Sequence, residues 1–118
     1  FFSVPMSLPE YRFETLAVTQ AEGCPGVLHV CLNRPAQRNA MNLQFWVDCR
    51  RCFQVISQDP EVRCVVLSGA GTVFSAGLDL QTLPEFNAAD VGRTALQHYQ
   101  HIKSWQDSFT AIAECPKP

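Results

Sequence analysis

Ser68-Gly69-Ala70-Gly71-Thr72-Val73-Phe74-Ser75-Ala76-Gly77-Leu78-Asp79-Leu80 follows directly on the run Arg63-Cys64-Val65-Val66-Leu67. That run is short and β-branched, which suits a strand buried on both faces. Glycines then turn the chain at Gly69-Ala70-Gly71, and a helical turn is expected to open beyond Gly77. A loop of this kind can leave backbone N–H groups unpaired and aimed at one point. A helix N-terminus adds a dipole that favours negative charge. Gly77, with no Cβ, permits close backbone approach. An oxyanion hole needs such an arrangement, with donors fixed where charge develops. The same residues also suit an ordinary strand–turn–helix connection. They are not a dinucleotide fingerprint, because position 74 is Phe where a third glycine would stand.

Before this stretch, Leu43 to Ser57 reads as a helix. Trp46, Cys49, Phe53 and Ile56 recur at steps of three and four and give one apolar stripe. Asn42 is placed to cap it, and Asp59-Pro60 ends it, since the residue before proline avoids the α region. Earlier still, Tyr11 to Gln20 and Val27 to Leu32 read as two strands joined by the turn residues Ala21-Glu22-Gly23-Cys24-Pro25-Gly26. A helix between two strands favours a right-handed crossover with parallel pairing. After the loop from Thr72 to Pro84, Val91, Ala95, Tyr99, Ile102, Trp105, Phe109 and Ile112 mark a long amphipathic helix starting near Ala88. It is roughly 35 Å long at 1.5 Å per residue, and Pro116 stops it. The expected class is α/β: an opening β-hairpin, a βαβ crossover and a long amphipathic helix. Residues 1–10 read as an N-terminal arm and 11–118 as one partial domain that continues beyond its C-terminal end. A strand such as Cys64–Leu67 needs neighbours on both sides, so the chain by itself is expected to be poorly stable.

Composition limits the function classes. The chain has 118 residues, 47% of them apolar, and a net charge of −2, which fits one folded domain rather than disorder. Its basic residues are scattered and give no nucleic-acid footprint. No apolar run approaches the ~20 residues of a membrane span. Phe1-Phe2-Ser3-Val4-Pro5-Met6 lacks the basic residues of a targeting peptide. Of six cysteines, Cys49 and Cys52 have CxxC spacing, but no second pair follows. The six are expected to be reduced, structural thiols. His98 and His101 are three apart on the long helix without a third ligand in view, and His29 alternates within a strand. Trp46 and Trp105 lie on apolar stripes and read as core or subunit-contact residues. Ser75 has no visible His–Asp partners for nucleophilic chemistry. Asp79 reads as a loop or helix cap.

Leu32-Asn33-Arg34-Pro35, Arg38-Asn39-Ala40-Met41-Asn42, Val65-Val66-Leu67-Ser68-Gly69 and Phe74-Ser75-Ala76-Gly77-Leu78-Asp79-Leu80 occur in an order and spacing that resembles the crotonase family of acyl-CoA hydratases and isomerases. Phe45-Trp46, the glycine loop and the ending Ala113-Glu114-Cys115-Pro116-Lys117-Pro118 look closest to its dienoyl-CoA isomerases. The resemblance runs from about Tyr11 to the last residue. It implies the first turns of a ββα spiral and an enzyme that stabilises a thioester enolate during fatty-acid β-oxidation. It further implies the Ala76 N–H as donor to the thioester oxygen, and Ala76, Gly77, Leu78, Asp79 and Leu80 lining the acyl-CoA site. Arg38 and Ala40 would lie near the adenine and phosphates of CoA, where a basic side chain suits the charge; a solvated surface arginine is the alternative for Arg38. No cofactor is implied beyond the CoA thioester as substrate. Trimeric or hexameric assembly and a mitochondrial or peroxisomal location are family expectations. The second oxyanion donor and the catalytic carboxylates are expected beyond residue 118, which makes this stretch alone inactive. An enoyl-CoA hydratase of the same fold, or a non-catalytic chain that binds partner subunits, are the alternatives.

Overall fold

The computed structural model describes residues 3–5, 8–83 and 90–118. One mixed sheet runs in the order β1 (Ser3–Pro5), β2 (Leu16–Ala21), β3 (Val27–Leu32), β4 (Cys64–Gly69). β2 and β3 form the expected antiparallel hairpin, in which Val18 faces Val30. The turn between them uses Gly23 and Gly26 at positive φ. β3 and β4 pair in parallel from Val27–Cys64 to Leu32–Gly69, and the helix α1 (Leu43–Gln58) crosses over between them. Within the segment read as an arm, Ser3–Pro5 adds a short antiparallel strand to β2, and a 3₁₀ turn follows at Pro9–Tyr11.

α1 forms where the stripe and cap require it. Asn42 accepts a hydrogen bond from the Phe45 N–H at 2.9 Å, and Asp59 leaves the helix in an extended conformation. Its face of Phe45, Trp46, Cys49, Cys52, Phe53 and Ile56 packs on Leu16, Val18, Leu28, Val30 and Leu32 of the sheet. One charged residue lies in that core. Asp48 is 1% exposed and accepts from the Thr15 N–H and hydroxyl at 2.9 and 2.8 Å, and from the Gln44 amide at 2.8 Å. Three donors satisfy the carboxylate, which is the condition for keeping it away from water.

The second helix, α2 (Val91–Ala113), is capped by Asp90; the expected start near Ala88 lies outside the described residues. It meets α1 through its C-terminal half. Trp105 stacks on Trp46 with ring centroids 5.7 Å apart, and the Ser108 hydroxyl donates to the Trp46 carbonyl at 2.6 Å. The amphipathic helix is formed as expected, and along its apolar stripe Val91, Tyr99, Ile102 and Phe109 are exposed. β4 differs from expectation. It is an edge strand of this sheet, and Val66 and Leu67, on opposite faces, are 41% and 37% exposed. The apolar pattern is present, but among the described residues little packs against it. All six cysteines are free thiols.

Candidate functional site

The loop after β4 is shaped by close backbone packing. A Cβ on Gly69 would lie 2.5 Å from the Phe74 carbonyl oxygen, so only glycine lets the chain fold back there. Gly77 is required for a different reason. Its φ is +91°, while the space where its Cβ would sit is open; the conformation, not proximity to this chain, demands glycine. Beyond it, Leu80–Thr82 is one short 3₁₀ turn. It is too short to supply the helix dipole that the sequence suggested.

A second loop from another part of the chain fixes this one. After β3, Pro35–Gln37 makes a 3₁₀ turn, and Arg38 and Asn39 follow in the left-handed region at φ 54° and 55°. Residues 38–41 then lie alongside residues 75–79. The Ala76 N–H donates to the Arg38 carbonyl at 2.9 Å, the Met41 N–H to the Gly77 carbonyl at 2.7 Å, and the Asp79 N–H to the Met41 carbonyl at 3.0 Å. Met41 and Leu78 are thereby a parallel bridge pair. In a parallel ladder, successive amides along one strand point to opposite sides. The bonds on Gly77 O and Asp79 N therefore turn the Leu78 N–H away from Met41. It has no hydrogen-bond partner among the described residues.

This pairing corrects the sequence expectation at Ala76. Its N–H is committed to the Arg38 carbonyl, whereas the Leu78 N–H two residues later has no partner among the described residues. Leu78 is 40% exposed, with Phe74, Leu80 and Leu83 also exposed around the loop. Asp79 is a structural anchor, as expected. One carboxylate oxygen accepts from the Gln81 N–H at 3.1 Å and the other meets the Arg34 guanidinium at 3.1 Å. Arg34 also donates to the Ala40 carbonyl. Arg38 is exposed and makes no ion pair among the described residues, and Ala40 is half-buried. No group of three metal-ligating side chains occurs among the described residues. A groove of about 570 Å³, lined by Leu8, Tyr11, Arg51 and Val55 among others, does not include the loop.

Two residues have a structural part in the site that the sequence did not assign to them. Asn39 is 2% exposed and holds the two loops together. Its signal was faint: asparagine is a residue that tolerates the left-handed region. Ser75, rejected as a nucleophile, instead donates to the Asn39 carbonyl at 2.8 Å and accepts from the Gly77 N–H at 3.0 Å.

The family described as enoyl-CoA hydratase/isomerase matches residues 22–118. The chain belongs to this family. The mitochondrial Δ(3,5)-Δ(2,4)-dienoyl-CoA isomerase of Rattus norvegicus is 42% identical over 98% of this chain and 36% of its own length. The human mitochondrial enzyme of the same name is 43% identical over 93% and 34%. A peroxisomal one from Arabidopsis thaliana is 34% identical over 96% and 42%. Among solved structures, an enoyl-CoA hydratase/carnithine racemase from Magnetospirillum magneticum has a TM-score of 0.73 at 25% identity, covering 91% of this chain and 38% of that one. An enoyl-CoA hydratase/isomerase from Mycobacterium paratuberculosis has a TM-score of 0.71 at 29% identity, covering 92% and 41%. The fold is thus the N-terminal portion of the crotonase architecture, and the chain spans 36% of the length of the rat relative.

Proposed function

We propose that this chain supplies the thioester-oxygen site of an acyl-CoA isomerase that moves double bonds in dienoyl-CoA. The observation that carries the reading is the Leu78 N–H, turned away from Met41 by the bonds at Gly77 and Asp79 and without a partner among the described residues. A carbonyl oxygen received there is polarised, the carbon beside it is acidified, and the resulting enolate is held without reorganisation. Returning the proton further along the diene shifts the double bonds. The 42–43% identity to dienoyl-CoA isomerases favours this substrate over a simple enoyl-CoA.

The reading assigns Ala76, Gly77, Leu78, Asp79 and Leu80 to the wall of the acyl site, with Ala76 contributing its place and not its amide. Arg38, exposed and unpaired among the described residues, is assigned to the CoA phosphates, with Ala40 beside it. No cofactor takes part. Proton transfer needs a group beside the reacting carbon, and among the described residues the donor loop offers Asp79 alone, which is tied to Arg34 and Gln81. The reading therefore assigns the acid/base carboxylates and the second oxyanion donor to chain outside these 118 residues, and residues 1–118 alone are expected to be inactive. A trimer or hexamer, and a mitochondrial or peroxisomal location, complete the proposal.

The test is a segment exchange in which residues 1–118 replace the matching part of the rat relative. The exchange protein should convert a 3,5-dienoyl-CoA to the conjugated 2,4-isomer, followed by absorbance. Leu78→Pro, which removes the donor, should lower kcat by about 10²–10³-fold. Hydration of a 2-enoyl-CoA with the diene left untouched would replace the isomerase reading with the hydratase one.

A further inference from the structure

We infer that Asn39 is a positioning residue that, together with Ser75, sets the direction of the Leu78 amide; this rests on the donor role proposed for that amide. Asn39 is 2% exposed and cannot touch substrate. Its side chain is fully used. The amide nitrogen donates to the Ala70 carbonyl at 2.8 Å and the Val73 carbonyl at 3.0 Å, and the amide oxygen accepts from the Arg34 N–H at 2.9 Å. These bonds hold the glycine loop upstream of the donor. The main chain of Asn39 holds it downstream: its carbonyl accepts from the Ser75 hydroxyl, and the Ser75 hydroxyl oxygen in turn accepts from the Gly77 N–H. Gly77 is the residue directly before Leu78. One hydroxyl therefore joins Asn39 to the Ala76–Gly77 peptide unit, which directly precedes the unit that carries the donor.

The chemistry selects asparagine. The position requires φ near +55°, which Asn and Gly tolerate and β-branched residues do not. It also requires two donors and one acceptor on one short side chain, and only an amide provides both. Aspartate would keep the shape while presenting a charged oxygen to two carbonyls. Glycine would keep the backbone and remove the clamp. Ser75 admits a matching pair: alanine removes the relay, and threonine keeps the hydroxyl.

The experiment uses the exchange protein with Asn39→Gly, Ser75→Ala and Ser75→Thr. Asn39→Gly and Ser75→Ala should lower kcat on the order of 10²-fold, the effect of ångström-scale misplacement of a reacting group. KM and the affinity for free CoA should stay within about two-fold, with a cooperative melt retained. Ser75→Thr should restore kcat. If Asn39→Gly does not fold, the Ser75 pair carries the test. Unchanged kcat in the folded variants, or a kcat loss matched by an equal loss of CoA affinity, overturns the inference. Hydration activity can serve as the readout if the diene is not turned over, since it draws on the same donor. An unsubstituted exchange protein that folds but performs neither reaction sinks the donor reading itself, and this inference with it. Activity indifferent to Asn39 and Ser75 sinks the inference alone.

Discussion

The Arg34 guanidinium lies 3.1 Å from the Asp79 carboxylate, with the two side chains 17% and 10% exposed. This pair ties the end of β3 to the residue after the candidate donor, across 45 positions of sequence. It also commits to an ion pair the carboxylate that stands beside the candidate donor. Asp79→Asn keeps an oxygen for the Gln81 N–H and loses the charge. It should lower stability by about 1–3 kcal/mol and leave the pH profile of kcat in the exchange protein unmoved. A collapse of kcat with the melt and KM preserved would make Asp79 a proton carrier.

Gly23 and Gly77 form a matched pair. Both have positive φ, +75° and +91°, and both have open space where a Cβ would go. Alanine at either position should cost about 1–2 kcal/mol in backbone strain. Only Gly77→Ala should also lower kcat, because only it adjoins the donor. Equal activity in the two variants, measured at equal stability loss, would detach the loop from the chemistry.

What could be read from the sequence follows the range of the interactions involved. α1 was legible because Asn42, the apolar stripe and Asp59-Pro60 are all local. β3 and β4 were legible from β-branched runs bounded by turn residues. The sequence pointed to the Ala76 N–H, which the structure bonds to the Arg38 carbonyl, while the Leu78 N–H has no partner among the described residues. Which amide stays free depends on the pairing of residues 38–41 with 75–79, and no local pattern reports that register. Asn39 was hidden for the same reason. Asp48 did have a signal: it lies three residues after Phe45 and four before Cys52, so a carboxylate stands on the apolar face of α1.

That carboxylate anchors the start of β2 to the crossover helix. Asp48→Ala would leave the buried Thr15 N–H and hydroxyl without an acceptor. The expected loss is on the order of 3 kcal/mol. It should appear in the exchange protein as a lower urea midpoint with an unchanged slope. Asp48→Asn, which keeps one acceptor oxygen, should lose less. Equal midpoints for Asp48→Ala and the parent would show that water replaces the carboxylate at no cost.

The core thiols predict an alkaline limit. Burial, with the Asp48 charge adding to it, pushes Cys49 from the ordinary 9.0 up to about 12. Burial likewise raises Cys52, helped by Cys49 and Asp48, and raises Tyr11, whose hydroxyl donates to Asp59 at 2.5 Å. The fold favours the protonated forms. The Cys49 contribution is complete below the unfolded value near 9.0 and is lost as pH climbs toward about 12. Stability should therefore fall above about pH 9. At pH 8 a thiol reagent should modify exposed Cys24 first and reach Cys49 and Cys52 only on unfolding. Fast labelling of either buried thiol in the native protein would contradict the packing of α1.

The last prediction concerns β4. Parallel pairing to β3 satisfies one side of the strand. On the other side, the Val65 N–H meets the Pro118 carbonyl at 2.9 Å, while Val66 and Leu67 are exposed on opposite faces. An exposed apolar edge is a template for pairing with another chain. Isolated residues 1–118 should therefore melt at low temperature and associate as concentration rises. A charge at the centre of the edge opposes such pairing, so Val66→Lys should reduce light scattering without raising the melting temperature. A cooperative, high-temperature melt independent of concentration would mean that the strand needs no further cover.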